Sequence, residues 1–277
     1  MHAGGRLTGN LDSAHGGGLV LRDESRASPQ PREVGQVSTV DAAARQRAHA
    51  RVIAVDGTAG SGKSSTSRGV ATILRLRYLD TGAMYRAMAW RMLLDGVDVQ
   101  DAEAVADRAS SVAIEAGTDP QRPTITLDGD DVATEIRSAE ATAAVSAVSA
   151  VPRVRELMVA LQRDAIGAGD IVVEGRDIGT VVVPDAGLKI FLVADPDARA
   201  QRRSAELAHA ADVGDVTAVQ ADLERRDRYD SSRVISPLSA ASDAVALDTT
   251  HHTLDEVIDQ IVALARVRFG AQVTEPS

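Results

Sequence analysis

The stretch that decides the fold is GTAGSGKS, which runs from Gly57 to Ser64. It matches the phosphate-binding pattern G-x-x-x-x-G-K-[ST] at every defined position. It follows the apolar run VIAVD at 52–56 and opens a helical pattern over 62–74, which is the strand–loop–helix context that the pattern requires. The glycines let backbone N–H groups turn inward, where they and the positive end of the helix bind phosphate oxygens. The segment therefore predicts a phosphate-binding loop, or P-loop.

The side chains of this loop have defined chemistry. Lys63 is placed to reach the β- and γ-phosphates of ATP, and Ser64 offers its hydroxyl to Mg²⁺. We predict ATP as co-substrate, Mg²⁺ as the metal, and an ATP-binding set of Gly57, Thr58, Ala59, Gly60, Ser61, Gly62, Lys63, Ser64 and Ser65. The alternative is a glycine-rich turn with a solvated Lys63, but the full match in its proper context favours the P-loop.

The rest of the chain alternates short apolar runs with longer helical patterns, which is typical of an α/β fold with a parallel sheet. Predicted strands lie at 52–56, 77–80, 170–174, 188–194 and 244–247. The stretch 112–137 instead predicts small antiparallel strands, an insert on the parallel core. Residues 1–48 are rich in Gly, Ser, Arg and Gln without apolar periodicity, so they predict a disordered tail, or a start codon placed too far upstream. Residues 269–277 predict a second disordered tail.

Composition limits the classes of function. The net charge of -10 argues against non-specific nucleic-acid binding, which needs a basic face. No apolar run approaches the roughly 18 residues that a membrane-spanning helix needs, so we expect no membrane association. The chain has no cysteine, which excludes disulfides, thiol catalysis and thiolate metal sites and favours a cytoplasmic location.

The P-loop alone leaves several classes of protein open. A GTPase switch would need a guanine-reading N-K-x-D, and the sequence has none. A motor-type ATPase has an apolar strand ending in an acid, and the closest candidate is Ile171–Glu174. That strand runs directly into Gly175, Arg176 and Asp177. An Arg-Asp pair at the carboxyl end of a parallel strand faces the ligand crevice, where it suits a second anionic ligand better than a hydrolytic water.

Six segments, in order and at similar spacing, resemble bacterial cytidylate kinase over residues 51 to 266. They are DGTAGSGKSS (56–65), YLDTGAMYR (78–86), EIRS (135–138), VPRVRE (151–156), EGRDIGTVV (174–182) and RDRYDSSRVISPL (226–238). The resemblance implies transfer of the γ-phosphoryl group of ATP to CMP or dCMP. It also implies a five-stranded parallel sheet with helices on both faces in a domain spanning 49–268. Within that domain it implies a nucleoside-monophosphate insert at about 82–150 and a short lid at about 199–216. We also expect the protein to be a cytoplasmic monomer.

The resemblance assigns the acceptor pocket residue by residue. The set is Thr81, Arg86, Ser146, Arg155, Arg176, Asp177, Arg226, Asp230 and Arg233. Thr81 would lie near the sugar and could also cap its helix. Arg86, Arg176 and Arg233 would bind the monophosphate, since a guanidinium forks onto phosphate oxygens. Arg226 and Asp230 would lie near the ribose, although a solvated i, i+4 ion pair explains them almost as well.

Three of these residues would read the base. Asp177 can accept from the N4 amino group of cytosine, while Arg155 can donate to N3 and O2 with Ser146 in support. Uracil mismatches both partners, at a cost of roughly 1–3 kcal/mol for each unpaired group. The alternatives are a structural ion pair for Arg155 and Asp177, simple packing for Ser146, and solvation for Arg86.

The reaction implied is direct in-line transfer without a covalent enzyme intermediate, catalysed by positioning and charge neutralisation. The predicted catalytic residues are Lys63, Arg176 and three lid arginines, Arg199, Arg202 and Arg203. Which lid arginine reaches the ATP phosphates stays open, and Asp212 to Asp215 predicts a turn within the lid. Two rival hypotheses are a P-loop kinase for another small acceptor and a non-catalytic nucleotide sensor.

Overall fold

The computed structural model describes residues 51–209, 216–233 and 235–270. The predicted tail at 1–48 and the predicted turn at Asp212 to Asp215 lie outside these residues. The second predicted tail does so from residue 271 onward.

The core is a five-stranded, wholly parallel sheet of β1 (Val52–Gly57), β2 (Arg77–Asp80), β6 (Ile171–Glu174), β7 (Leu188–Val193) and β8 (Val245–Asp248). The strand order is β2-β6-β1-β7-β8. Strand β1 is central and buried along its whole length, and its register sets Ala54 beside Val173 on one side and Lys189 on the other. Because parallel strands share one carboxyl edge, the residues that follow them meet above that edge. The predicted α/β class and five-stranded parallel sheet are confirmed.

Helices cover both faces of this sheet. They are α1 (Lys63–Leu74), α2 (Thr81–Leu94), α3 (Ala102–Ala109), α4 (Ala139–Val148), α5 (Pro152–Ile166), α6 (Pro196–His209), α7 (Val216–Ser231) and α8 (Leu254–Phe269). Alternate residues of β1 supply two apolar cores, because side chains alternate between faces along a strand. Val52 and Ala54 pack with α2 and α5, while Ile53 and Val55 pack with α1 and α8. Within the described ranges, no helix is both long and apolar enough to cross a membrane.

A small antiparallel sheet of β3 (Ile114–Ala116), β4 (Ile125–Leu127) and β5 (Asp130–Asp131) confirms the predicted antiparallel insert. Asp128 and Gly129 connect β4 to β5 with positive φ angles of 52° and 92°. Two such residues give the tight hairpin turn for which an Asp-Gly pair is the favoured sequence. Ile125 and Leu127 are buried in the same core as α2, so the insert is anchored to the helix that carries Arg86.

Helix α2 begins at the carboxyl end of β2 with a cap that differs from the expectation. The Asp80 side chain accepts from the Ala83 N–H at 2.8 Å and is the N-cap, so the suggestion that Thr81 caps the helix is wrong. The Thr81 hydroxyl instead donates to the backbone carbonyl of Glu174 at 2.7 Å. Thr81 therefore ties the end of β2 to the end of β6 at the ligand edge of the sheet.

Arg77 at the start of β2 stabilises the end of α5. Its guanidinium donates at 2.7 and 2.6 Å to the carbonyls of Ala165 and Ile166, groups that a helix end leaves without intrahelical partners. It also donates at 2.7 Å to the carbonyl of Gly169 in the segment that follows the helix.

Arg77→Ala should lower the free energy of unfolding by roughly 2 kcal/mol, because these carbonyls lose a charged donor. Urea denaturation measures this, with Arg122→Ala at an exposed loop position as control. Equal stability of the two variants would contradict the assignment.

Candidate functional site

The P-loop joins β1 to α1 through residues that must be glycine. Gly57, Gly60 and Gly62 have φ angles of 150°, 75° and 84°. A Cβ atom on Gly57 would lie 2.2 Å from the carbonyl oxygen of Leu192 on the adjacent strand. Gly62 is the N-cap of α1, and no side chain among the described residues caps that helix. The first N–H groups of the helix therefore stay available for an anion.

Lys63 lies inside the loop rather than in solvent. Its Nζ donates to the Thr58 carbonyl at 2.6 Å, and only 8% of the residue is exposed. Burial and, next, the charge of Arg176 lower the pKa of Lys63 to about 7, while the charge of Glu174 opposes this shift. The alternative of a solvated lysine is therefore wrong. Ser64 and Ser65 lie exposed at the open side of the loop.

Glu174, at the end of β6, is a buried acid beside the loop, and it is not among the predicted site residues. The Tyr78 hydroxyl donates to its Oε1 at 2.6 Å, and its Oε2 is buried without a hydrogen-bond partner in the described part of the chain. Burial and then the charge of Asp80 raise its pKa to about 7, while Lys63 and Ser64 act in the opposite direction. The sequence signal was present, since Ile171–Glu174 is an apolar strand ending in an acid.

Asp56 was likewise missed, although it directly precedes the loop. Its carboxylate accepts from the N–H groups of Ile178 and Gly179, both at 2.8 Å. Burial raises its pKa to about 6. The contact fixes the turn after Arg176 and Asp177 against the strand that carries the P-loop.

Asp230, near the end of α7, joins two of the predicted phosphate-binding arginines. It accepts from Arg176 Nε at 3.1 Å and forms an ion pair with Arg233. Arg233 also donates to the Ser149 hydroxyl at 2.8 Å, a contact that no sequence pattern indicated. Burial lowers the pKa of Arg233. Asp230 itself is only 5% exposed, so the alternative of a solvated ion pair on a helix surface is wrong for it.

Two further arginines complete this group. Burial lowers the pKa of Arg226 to about 10, and the charges of Arg176 and Arg86 act in the same direction. Arg86 pairs with Asp80 at 3.3 Å. Asp230 thus links Arg176 to Arg233, while the charges of Arg176 and Arg86 both act on Arg226.

The predicted base-reading pair lies deeper. Arg155 and Asp177 form a buried ion pair, with Arg155 stacked 5.6 Å from the centre of the Tyr85 ring. The Nε of Arg155 is buried and has no hydrogen-bond partner within the described ranges. Ser146 is buried on α4, where the Ser149 hydroxyl donates to its carbonyl at 3.2 Å. The structural ion pair considered from the sequence is thus present.

The three lid arginines of α6 have different surroundings. Arg199 donates to the Ala59 carbonyl at 3.1 Å and pairs with Asp227 of α7. Arg202 bonds the backbone carbonyl and, at 2.9 Å, the hydroxyl of Thr249 beyond β8. The Thr249 hydroxyl also lies 3.3 Å from the Ser61 carbonyl, so Thr249 links Arg202 to the P-loop. Arg203 is half-buried on the same helix. Arg199 contacts the loop directly, through the Ala59 carbonyl.

Comparison with known proteins gives a consistent result. The family model described as cytidylate kinase matches residues 53–267. A cytidylate kinase of Streptomyces griseus is 55% identical over 215 residues, which is 77% of this chain and 91% of that one. The counterpart from Nocardia farcinica is 54% identical over 76% of this chain and 91% of its own. That of Rhodococcus jostii is 51% identical over 79% of this chain and 96% of its own.

The close contact of Gly57 gives a test of the loop geometry. Gly57→Ala should lower the free energy of unfolding by about 4 kcal/mol, the sum of a strained φ and a steric overlap with Leu192. Gly96→Ala is the matched control, since its φ of 66° is also positive but the described residues leave open space within 4 Å. It should cost only about 1 kcal/mol. Chemical denaturation compares the two, and similar losses would refute the predicted contact.

Proposed function

The chain belongs to the cytidylate kinase family, and from that membership we propose that it transfers the γ-phosphoryl group of ATP to the 5′-phosphate of CMP or dCMP. The products are ADP and CDP or dCDP. The P-loop holds ATP, and the arginine group around Asp230 holds the monophosphate. Monomeric state and cytoplasmic location stay predictions.

The observation that carries this proposal is the position of Arg176. It follows Gly175, whose N–H donates to the Val55 carbonyl at 3.0 Å on the strand that leads into the P-loop, and its Nε bonds the carboxylate that also pairs with Arg233. One guanidinium thus borders both anion sites. Transfer between two phosphates requires them side by side, and the repulsion between them must be offset by cations.

Transfer is then a matter of placement. Lys63 and the P-loop amides hold the β- and γ-phosphates, while Arg86 and Arg233 hold the acceptor phosphate and Arg176 lies between them. Asp230 orients two of these guanidinium groups before the acceptor binds. The acceptor oxygen attacks the γ-phosphorus directly, the bond to the bridging oxygen of ADP breaks, and no enzyme group is phosphorylated.

Mg²⁺ fits the residues on the open side of the loop. The exposed Ser64 hydroxyl and the buried Oε2 of Glu174, which has no hydrogen-bond partner among the described residues, are hard oxygen donors of the kind that Mg²⁺ takes alongside phosphate oxygens. Bound there, Mg²⁺ would neutralise charge on the β- and γ-phosphates.

Base selection is assigned to Arg155 and Asp177. In the structure the two side chains are buried and form an ion pair with each other. The pair thus holds a donor and an acceptor side by side, ready for a base. Cytosine offers an N4 donor to Asp177 and N3 and O2 acceptors to Arg155. Uracil has an acceptor in place of the N4 donor and a donor in place of the N3 acceptor, so it would leave buried groups of both residues unpaired.

A panel of acceptors with Mg·ATP tests the proposal. A coupled assay for ADP release should show activity with CMP and dCMP, and weaker activity with UMP. Faster turnover with AMP or UMP at equal concentration would overturn the base assignment. Absence of transfer to any acceptor would support the rival hypothesis of a nucleotide sensor.

The two lysines of the chain, Lys63 and Lys189, offer a matched pair of variants. Lys63→Ala should abolish turnover with little loss of stability, because a desolvated ammonium with a lowered pKa contributes little to folding. Lys189→Ala should keep turnover but lose stability, because buried Lys189 bonds the Pro184 carbonyl and Asp243. Steady-state kinetics and thermal melting separate the two effects. Retained activity in Lys63→Ala would remove the P-loop assignment.

Asp177→Asn tests base reading. The amide can donate to O4 of uracil as well as accept from cytosine, so the preference for CMP over UMP in kcat/KM should fall about tenfold. Asp164→Asn, on the exposed side of α5, is the control and should leave the ratio as it is in the wild type. A wild-type ratio in Asp177→Asn would mean that this carboxylate does not read the base.

A further inference from the structure

A carboxylate without an assigned role lies directly on the P-loop. Asp227 of α7 accepts from the Ala59 N–H through Oδ1 at 2.9 Å, and its Oδ2 pairs with Arg199. Arg199 in turn donates to the Ala59 carbonyl at 3.1 Å. Both backbone polar groups of Ala59 are therefore held, one by α7 and one by α6.

The same contact fixes the peptide group that joins Thr58 to Ala59. Its N–H bonds Asp227, and its carbonyl accepts from Lys63 Nζ at 2.6 Å. A peptide group is rigid and planar, so holding its N–H also sets the direction of its carbonyl. Asp227 thus acts on Lys63 through one peptide group and on Arg199 directly.

Apolar packing brings α7 to this position. The Ala59 side chain lies in a small buried cluster with Val219 and Leu223, two residues of the helix that carries Asp227. Next to it, a Cβ atom on Gly60 would lie 3.2 Å from Arg199 Cβ and 3.3 Å from Leu223 Cδ1. The tip of the loop is therefore in close contact with both α6 and α7.

We propose that Asp227 is a positioning residue of the phosphoryl-transfer site. It holds the Thr58–Ala59 peptide so that its carbonyl keeps Lys63 Nζ in the loop, where Lys63 reaches the β- and γ-phosphates, and it holds Arg199 against the tip of the loop. A triphosphate uses both phosphate contacts of Lys63, whereas a diphosphate uses one of them. Loss of Asp227 should therefore weaken binding of a triphosphate more than binding of a diphosphate. This inference rests on the placement of ATP proposed above.

Binding of two nucleotides to the purified full chain tests the inference. Titration calorimetry with Mg²⁺ compares a non-hydrolysable ATP analogue with ADP. Asp227→Ala should weaken binding of the ATP analogue at least about tenfold and ADP less than about threefold, since the displaced Lys63 loses charge-assisted contacts to two phosphates of the analogue but to only one of ADP. Asp227→Asn keeps an acceptor for the Ala59 N–H and should recover part of the loss. Asp222→Ala is the control on the same helix, because Asp222 pairs with Arg225 on its outer side.

Kinetics give a second, independent readout. Asp227→Ala should lower kcat and raise KM for ATP while KM for CMP stays within about twofold, since Asp227 bonds the P-loop and Arg199, whereas the acceptor-side Asp230 of the same helix bonds Arg176 and Arg233. Combined with Arg199→Ala, the double variant should lose less than the product of the two single losses, because the two residues act as a unit.

Two results would overturn the inference. Equal weakening of ADP and of the ATP analogue would mean that Asp227 only supports the fold. Wild-type binding and kinetics in Asp227→Ala, with or without a lower Tm, would mean that Asp227 does not position the phosphate-binding residues. A wild-type enzyme that binds the ATP analogue yet transfers nothing to CMP would instead contradict the proposed function, and the binding comparison would still decide the role of Asp227.

Discussion

The ion pairs that Asp230 makes with Arg176 and Arg233 are the interaction on which the rest of the site depends. Guanidinium groups brought together out of water repel one another, and the pKa of Arg226, lowered to about 10, reflects that burial and repulsion. A shared carboxylate offsets the repulsion while no phosphate is present. An acceptor phosphate can then enter a group of cations that is already oriented, so less ordering is required when it binds.

The sheet sets the distance between the two proposed anion sites. Asp56 is the last residue of β1 before Gly57, with which the P-loop begins. The Asp56 carboxylate accepts from the N–H groups of Ile178 and Gly179, which lie just beyond Arg176. One strand therefore fixes both the phosphate loop and the turn that follows the central arginine. The neighbouring strand β2 is tied to β6 at the same edge. The Tyr78 hydroxyl donates to the Glu174 carboxylate, and the Thr81 hydroxyl donates to the Glu174 carbonyl. The buried carboxylates that result have raised pKa values, a cost to stability that is common at functional sites.

Patterns within single segments of the sequence were enough to predict the core sheet and the P-loop. Every core strand was predicted to within about one residue, since buried apolar runs between helical patterns are distinctive, and the P-loop was specified by its own glycines. The predicted cap of α2 was wrong, because Asp and Thr are both favoured N-cap residues and only the backbone geometry decides between Asp80 and Thr81. Ser149 and Asp227 were missed because their contacts join distant segments: Asp227 lies 168 positions from Ala59. No periodicity in a sequence records such a pair.

We propose that one guanidinium, that of Arg176, borders the ATP site and the acceptor site together. A crystal structure of the enzyme with Mg²⁺, a non-hydrolysable ATP analogue and CMP decides this. We expect the Arg176 guanidinium to lie within hydrogen-bond distance of both the terminal phosphate of the analogue and the phosphate of CMP. Phosphates bound on separate surfaces, or a CMP phosphate that contacts neither Arg176 nor Arg233, would contradict it.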